Sequence, residues 1–344
     1  MKIIRWLLFP ISFIYGIITF FRNQAYDWGI LKTYPIPSKS ITVGNLSVGG
    51  TGKTPHVDFL IQHFLSQQKQ VTVLSRGYGR KTKGLVVANE HSTASEIGDE
   101  PKQYLQRYGD NINIVLAEKR KEGVDYILDH IPNNDIIILD DAFQHRAVSA
   151  EFSILITPFD DLFTDDFMLP TGNLREWRNG KNRADVIIVS KSPRGFSPEK
   201  EEEILDKLGF LNDHVFFSSL EYNDLVAATK ENTDSDFEEV LLVTGIGNPQ
   251  PLVDFWKKKS RVHHMAFPDH HNYSASDIQA IHEKFGKFAS VNKAIITTEK
   301  DFMRLQQFDV VFEKENAWYY QPISITIKNQ TTFNELLDEY IRQV

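Results

Sequence analysis

The sequence predicts an α/β fold in which a mostly parallel sheet is covered by helices on both faces and is followed by a second, smaller α/β domain. Three observations carry this prediction. Short, nearly continuous apolar runs alternate with amphipathic helical patterns, which is typical of parallel strands buried on both faces. A glycine-rich loop separates the first strand of this series from the first helix. The chain then becomes charged and polar over about 195–235, after which the alternation resumes.

The predicted elements follow in chain order. In the first series the strands are 40–43, 71–75, 85–88, 113–117, 136–139, 152–157 and 185–190, with helices at 55–67, 101–108 and 120–130. A short strand at 215–218 lies in the polar stretch, and the second series has strands at 240–244, 262–267 and 293–298 with a helix at 274–288. We therefore assign residues 26–210 to the first domain and 211–344 to the second. A return of the C-terminus to the first domain stays open.

The first 25 residues form a separate segment, because 3–21 are nearly all apolar and are flanked by Lys2 and Arg22. Five polar or small side chains share one face at helical spacing: Arg5, Ser12, Gly16, Thr19 and Asn23. This pattern indicates a helix that lies in or dips into a membrane interface. Whether it spans stays open, since Arg5 and Pro10 interrupt the stretch of about 20 apolar residues that spanning requires. A signal peptide fits poorly without a small-residue cleavage site, and a buried core helix is the other alternative.

Composition excludes several classes of function. The net charge of −8, with His neutral, disfavours nucleic-acid binding driven by bulk charge, so no nucleic-acid partner is expected. The chain contains no cysteine, which excludes disulfide frameworks, thiol nucleophiles and cysteine-based zinc sites.

The glycine-rich loop, called the P-loop below, has the sequence Ser47-Val48-Gly49-Gly50-Thr51-Gly52-Lys53-Thr54. Backbone N–H groups of such a loop point at phosphate oxygens, Lys53 reaches the β and γ phosphates, and the Thr54 hydroxyl binds Mg²⁺. Ser47 occupies the first glycine position of the usual pattern. The preceding strand and Pro55, a residue suited to the first helical turn, support the assignment. The alternative is a glycine-rich turn with a chance Lys-Thr pair.

A P-loop is normally accompanied by an apolar strand that ends in a metal-binding carboxylate. Residues 136–139, followed by Asp140 and Asp141, match this description. Two anions at the end of a buried strand are costly without a cation, so the pair predicts a Mg²⁺ site and a P-loop NTPase-like sheet. Guanine-specific proteins of this class usually carry [NT]-K-x-D after a later strand, whereas residues 190–193 read Ser-Lys-Ser-Pro. ATP is therefore preferred over GTP.

Further polar clusters follow strands on the side where such sheets bind ligands. They are 75–80, 97–101, 169–176 and 267–273. Asp99, held near a γ-phosphate, could accept the proton of an acceptor hydroxyl, although a helix N-cap is the structural alternative. In the last cluster a single His that polarises a carboxylate is more economical than a metal site, because His270 and His271 point in alternating directions. A simple turn and a surface ion pair are the alternatives for the arginine-containing clusters.

Taken in order, these motifs resemble the tetraacyldisaccharide 4′-kinase (lipid A 4′-kinase) family. The set comprises 44–45, 48–55, 75–80, 98–101, 140–146, 172–176, 269–270 and 298–301, and it covers most of the chain. Each motif alone is weak, but the ordered set is specific. The resemblance implies ATP-dependent phosphorylation of the 4′-hydroxyl of a tetraacylated glucosamine disaccharide 1-phosphate, which gives lipid IVA. It also implies a membrane-associated N-terminal helix on the cytoplasmic face of the inner membrane, and an active site between two α/β/α domains. We expect a monomer.

The resemblance also assigns roles to residues. Asp99 is expected to be the general base, assisted by His270, in a direct in-line transfer. Lys53 and Thr54 match the phosphate and Mg²⁺ positions, and the acidic pair at 140–141 lies near the metal. Eight further residues fall on positions that the family uses around its active site: Arg76, Tyr78, Glu100, Arg120, Gln144, His145, Arg175 and Glu176.

Two positions depart from the family pattern: Ala142 replaces a usual glycine, and Trp177 replaces a usual proline. Ala142 raises the question of whether that turn needs a positive φ, which alanine accommodates poorly. Two other functions stay open. A membrane-tethered P-loop ATPase acting as a switch or assembly factor would not need the pair of Asp99 and His270. A soluble kinase for a small metabolite would leave the apolar N-terminus unexplained.

Overall fold

Strands and helices alternate along the chain in the computed structural model, which describes residues 5–229 and 236–342. The strands are β1 Tyr34–Pro35, β2 Ser40–Gly44, β3 Val71–Ser75, β4 Val86–Val87, β5 Ile112–Leu116, β6 Ile136–Asp140, β7 Val148–Ser149, β8 Phe152–Pro158, β9 Val186–Ser190, β10 Val215–Tyr222, β11 Val226–Ala227, β12 Glu239–Thr244, β13 Arg261–Ala266, β14 Lys293–Thr298, β15 Trp318–Gln321 and β16 Ile323–Ile327. The α-helices are α1 Phe9–Asp27, α2 Lys53–Ser66, α3 Ala94–Ile97, α4 Asp99–Tyr108, α5 Arg120–His130, α6 Pro198–Leu208, α7 Gln250–Lys257, α8 Ala275–Gly286, α9 Glu299–Leu305 and α10 Gln330–Arg342. Lys2, which was predicted to flank the N-terminal helix, lies outside the described residues.

The larger sheet has nine strands in the order β16-β10-β9-β8-β2-β6-β3-β5-β4. Its strands are parallel except at the two edges, where β16 and β4 run antiparallel to their neighbours. Alternate residues of β6 pack into two different hydrophobic cores, one on each face of the sheet. Ile136 and Ile138 pack with α2, α4 and α10, whereas Ile137 and Leu139 pack with α5. Both faces are therefore covered, which explains the unbroken apolar run and confirms the predicted fold class.

The smaller sheet has five strands in the order β11-β15-β14-β12-β13, parallel except for β11. It is also covered on both faces. Leu241 and Val243 pack with α8, and Val240 and Leu242 pack with α7. This sheet is inserted in the chain between two strands of the larger one, β10 and β16.

The change of sheet does not coincide with residue 210. Strand β10 lies beyond that residue, yet it pairs in parallel with β9 and antiparallel with β16 in the larger sheet. The preceding charged stretch forms α6, which buries Ile204 and Leu208 and turns its charges to solvent. After β16, helix α10 places Phe333 and Leu337 in the core of the larger sheet. The C-terminal segment therefore packs on the sheet that carries the P-loop.

Helix α1 lies on a loop that follows β8. The Ser12 hydroxyl donates to Thr171 Oγ1 at 2.7 Å, and the Trp177 indole N–H donates to the carbonyl of Gly16 at 2.7 Å. A Cβ atom added at Gly16 would lie 2.6 Å from Trp177 Cζ2, so this close approach requires glycine. Trp177, which replaces the usual proline, thus fills a space that a glycine of α1 provides.

The opposite face of α1 is exposed and apolar. Its exposed large side chains are Phe9, Ile11, Phe13, Ile14, Ile17, Ile18, Phe20 and Phe21. Trp6 precedes the helix and contacts the exposed Phe167 edge to face, with 5.1 Å between the ring centroids. Within the described residues, no helix combines the length and hydropathy needed to cross a membrane.

Candidate active site

The P-loop connects β2 to α2 at the centre of the larger sheet. Gly49 and Gly52 adopt φ values of 110° and 94°, a region in which other residues are strained. The loop is held from one side by the segment after β8, since the Val48 N–H donates to the Asn173 carbonyl at 2.8 Å. Nothing lies within 4 Å of a Cβ added at Gly49 or Gly50, so the loop backbone faces open space. Such a surface of N–H groups at a helix start can bind phosphate.

Lys53, the first residue of α2, extends back along the P-loop. Its Nζ lies 3.3 Å from Asn45 Oδ1 and 3.5 Å from Asp141 Oδ1. Asn45 is buried, and its amide donates to the Ser47 carbonyl and to Thr51 Oγ1, so it connects both ends of the loop. These contacts hold a cation beside the phosphate-binding surface.

Asp140 and Asp141 lie at the end of β6, beside β2. Asp140 is buried, and its pKa is raised to about 7 by burial and by the negative charges of Glu100 and Asp141. Burial also acts to raise the pKa of Asp141, but Lys53 and Arg175 outweigh this effect and lower it. A buried carboxylate that resists ionisation fits a site that a divalent cation would stabilise.

The backbone of the turn after β6 shows whether Ala142 needs a positive φ. Asp141 adopts the positive φ of 49°, whereas Ala142 is not among the described residues with positive φ. Aspartate tolerates this conformation better than most residues. The alanine therefore occupies this position without the strain that a positive φ would cause.

Asp99 and His270 come together from the two sheets. Asp99 begins α4 and is only 7% exposed, and its Oδ2 lies 3.1 Å from His270 Nδ1. Lys300 Nζ lies 3.1 Å from His270 Nε2. Since an ammonium group can only donate, Nε2 accepts and Nδ1–H donates to Asp99. Lys300 also pairs with Glu100 at 2.9 Å.

A second group of polar side chains lies beside the P-loop on the segment after β8. Arg175 Nη1 lies 3.2 Å from Asp141 Oδ1 and donates to Gln144 Oε1 at 3.2 Å. Gln144 donates to the Asn45 carbonyl at 2.6 Å and to Glu176 Oε1 at 3.0 Å. The Arg175–Glu176 pair is thus tied to the P-loop through Gln144.

Comparison with known proteins decides the family. The sequence profile of the tetraacyldisaccharide-1-P 4′-kinase family matches residues 4–342. The chain belongs to this family. Among its relatives, the tetraacyldisaccharide 4′-kinase of Flavobacterium johnsoniae is 41% identical over 348 residues, covering 100% of this chain and 99% of the relative. The enzyme of the same name from Bacteroides thetaiotaomicron is 40% identical, covering 99% of this chain and 94% of the relative.

A solved structure leads to the same family. The "apo" form of LpxK from Aquifex aeolicus, in complex with ATP, matches with a TM-score of 0.76 and 28% sequence identity, covering 98% of this chain and 99% of that one. The resemblance found in the ordered motifs is therefore confirmed. The chain is a kinase of the tetraacyldisaccharide-1-P 4′-kinase family, which acts in lipid A biosynthesis.

The family resemblance assigned four other residues to the site, and these four differ from one another in burial and in the groups that they contact. Arg120 is buried and donates to the carbonyls of Ala117 and Asp140, and burial lowers its pKa to about 10. Arg76 and Tyr78 are exposed, and the Tyr78 ring lies 5.1 Å from the His270 ring. His145 is half-buried, and its pKa is lowered by burial and by nearby arginines. Tyr78 therefore lies at the Asp99–His270 pair, whereas Arg120 supports the end of β6.

Four residues that contact the candidate site had no role assigned to them from the sequence. They are Asn45, His56 and the α9 side chains Lys300 and Arg304. Asn45 and Lys300 did fall within recognised motifs. His56 was visible only as a polar residue on the buried side of α2. Its ring contacts the Gly52 carbonyl at 2.6 Å through Nδ1 and Ser218 Oγ at 2.9 Å through Nε2. It therefore connects the P-loop to β10.

The free energy of unfolding of the protein is expected to depend on the protonation of His56, since burial lowers the pKa of this side chain to about 4 from 6.5. The unfolded chain takes up a proton below pH 6.5 and the folded chain only near pH 4, so acid favours unfolding. The free energy of unfolding of wild type, measured with denaturant, should fall toward that of His56→Gln by roughly 2–3 kcal/mol between pH 7 and pH 4.5. A difference between the two proteins that does not change with pH would contradict this.

Proposed function

We propose that this kinase transfers the γ-phosphate of ATP directly to the 4′-hydroxyl of a tetraacyldisaccharide 1-phosphate, giving lipid IVA. The observation that carries the proposal is the Asp99–His270 contact between the two sheets. A P-loop that only hydrolysed ATP or switched between states would not need a carboxylate–imidazole pair next to it. Asp99 also starts the helix whose second residue, Glu100, lies close enough to raise the pKa of Asp140. The pair therefore lies near the end of β6 and the P-loop.

In the proposed mechanism, the P-loop N–H groups and Lys53 bind the β and γ phosphates. Asp99 accepts the proton of the 4′-hydroxyl. The hydroxyl oxygen attacks the γ-phosphorus in line with the leaving ADP oxygen. His270 fixes the orientation of the carboxylate by donating from Nδ1 to Oδ2. Arg175 and Lys53 keep Asp141 ionised, and both cations lie where negative charge develops on the transferred group.

The residues at the end of β6 fit a magnesium ion. Among the described residues, no three His, Asp or Glu side chains converge as a complete metal site. Mg²⁺ is usually bound by one or two carboxylates together with phosphate oxygens and water, so Thr54, Asp140 and Asp141 would suffice. When bound, this ion would neutralise charge on the β and γ phosphates.

Incubation of the protein with ATP, Mg²⁺ and a tetraacylated disaccharide 1-phosphate tests the proposal. Mass spectrometry should show one added phosphate, and fragmentation should place it on the distal sugar. Thr54→Ala and Asp140→Asn should suppress the product. ATP hydrolysis without a phosphorylated lipid would instead favour a P-loop ATPase that acts as a switch or assembly factor.

We also propose that α1 lies in the membrane interface on the cytoplasmic face of the inner membrane, where it delivers the lipid acceptor. Its apolar side chains face solvent on one side, while Tyr15 donates to the Arg175 carbonyl at 2.9 Å and Asn23 donates to Glu176 at 2.8 Å on the other. An apolar surface beside the active site suits an acceptor whose acyl chains remain in lipid.

The proposed membrane surface predicts a loss of vesicle binding in an Ile14→Glu, Ile18→Glu variant. These side chains are 58% and 60% exposed, so their replacement should leave the fold intact. Binding to anionic phospholipid vesicles, measured by flotation, should fall by at least about 10-fold, because burying each isoleucine is worth about 1.5–3 kcal/mol. Val291→Glu, at a fully exposed position in the loop before β14, is the matched control. Equal binding of all three proteins would refute the interfacial role of α1.

A further inference from the structure

We infer that Arg304 is a positioning residue for phosphoryl transfer: it holds the Asp99 carboxylate by Oδ2, so that Oδ1 is presented to the acceptor hydroxyl. The inference rests on the proposed function, in which Asp99 is the general base. It adds a cation from the second sheet to the pair of Asp99 and His270.

Arg304 is buried between two carboxylates. Its side chain is 6% exposed, with Nε 3.3 Å from Asp99 Oδ2 and Nη2 3.3 Å from Asp301 Oδ1. These contacts are ion pairs rather than aligned hydrogen bonds. Nη1 donates to the His271 carbonyl at 2.7 Å, which fixes the guanidinium beside the loop that carries His270. A buried arginine is stabilised only when it is paired, so its position is set by these partners.

Both side chains that contact the Asp99 carboxylate, the neutral imidazole of His270 and the guanidinium of Arg304, approach the same oxygen. His270 Nδ1 lies 3.1 Å from Oδ2 and Arg304 Nε lies 3.3 Å from Oδ2. Within the described chain, each side-chain contact of Asp99 with another residue is made through Oδ2. One hydrogen-bond donor and one cation on the same oxygen fix the rotation of the carboxylate and leave Oδ1 to accept a proton.

Helix α9 is held to the second sheet on one side and to α4 on the other. Asp301 is fully buried and accepts from the Gly245 N–H at 2.9 Å and from Thr298 Oγ1 at 2.7 Å, which ties α9 to the second sheet. Toward α4, Glu299 pairs with Arg107 and Lys300 pairs with Glu100. The pair of Arg304 and Asp99 is thus the third ion pair between α9 and α4, and it is the one that reaches the proposed base.

Kinetic measurement on Arg304→Met tests the inference. We expect kcat for lipid phosphorylation to fall by about 10²-fold, the cost of a displacement of about 1 Å at a reacting group, at unchanged KM for ATP. Arg304→Lys, which keeps the charge, should recover part of kcat. The matched control is Arg107→Met, which removes another cation of this interface, one that is partly buried and does not touch Asp99. It should lower Tm at least as much as Arg304→Met but reduce kcat less.

The possible results separate the two proposals. A kcat of Arg304→Met close to that of wild type would overturn the inference, and so would equal losses of kcat in Arg304→Met and Arg107→Met. If Arg304→Met does not fold, Arg304→Lys decides: a reduced kcat with unchanged KM for ATP supports the inference, and an unchanged kcat overturns it. Failure of the wild-type protein to phosphorylate the lipid would instead overturn the proposed function and, with it, the inference.

Discussion

Asp99→Asn is expected to lower kcat for lipid phosphorylation by about 10²–10⁴-fold, the usual cost of losing one acid–base group. The amide has the shape of the carboxylate but cannot accept the proton of the acceptor hydroxyl. ATP binding should not change, because the contacts of Asp99 are with His270 and Arg304 and none is with the P-loop. Steady-state kinetics with varied ATP, together with nucleotide binding measured by calorimetry, would separate the two effects.

The matched control for this prediction is Asp125→Asn on α5, where an exposed carboxylate pairs with Lys121 at 2.6 Å. Exposed pairs of this kind contribute little to stability, so this variant should behave as wild type. If Asp99→Asn retained near-normal kcat, Asp99 would not be the base. A weaker affinity for ATP at unchanged kcat would also contradict the assignment.

Lys53→Met is expected to have the second-largest effect. Removal of one preorganised group that stabilises transition-state charge costs about 10²–10³-fold in kcat. KM for ATP should rise as well, because Lys53 lies at the phosphate-binding surface in the ground state. The substitution also removes one of the two cations that pair with Asp141, which keeps Arg175 as its remaining ion-pair partner. Kinetics at saturating ATP would isolate the effect on kcat.

Lys69→Met is the control for Lys53→Met, because Lys69 makes a 3.8 Å surface pair with Asp135 away from the P-loop. Equal kinetics of Lys69→Met and wild type are expected. A Lys53→Met enzyme with altered KM but normal kcat would show that Lys53 binds ATP without stabilising the transition state.

The strands of the larger sheet could be predicted because burial on both faces produces an unbroken apolar run. The predicted strand at 136–139 and the predicted helix at 120–130 agree closely with β6 and α5. The placement of β10 could not be predicted, since its membership in the larger sheet depends on hydrogen bonds to β9 and to β16, about 100 residues later in the chain. Strand β16 follows Pro322 and is only partly buried, so it carries no strong apolar signal.

The site was partly visible in the sequence. The P-loop, the acidic pair and the order of the motifs depend on local spacing, which a sequence displays directly. Arg304 and His56 have roles that depend on packing between distant segments. His56 acts through Ser218 on another strand, and Arg304 meets Asp99 only because α9 packs against α4. No local pattern distinguishes such residues from ordinary core or surface positions.

The contact of Gly16 with Trp177 bears on how such sequences can diverge. A Cβ at position 16 would lie 2.6 Å from the indole, so we expect the two positions to be epistatic. While tryptophan occupies 177, selection must retain glycine at 16. A lineage with proline at 177 lacks the indole and is free to place a larger residue on the helix. Substitutions at these positions are therefore expected to appear in pairs across relatives, although they are 161 residues apart.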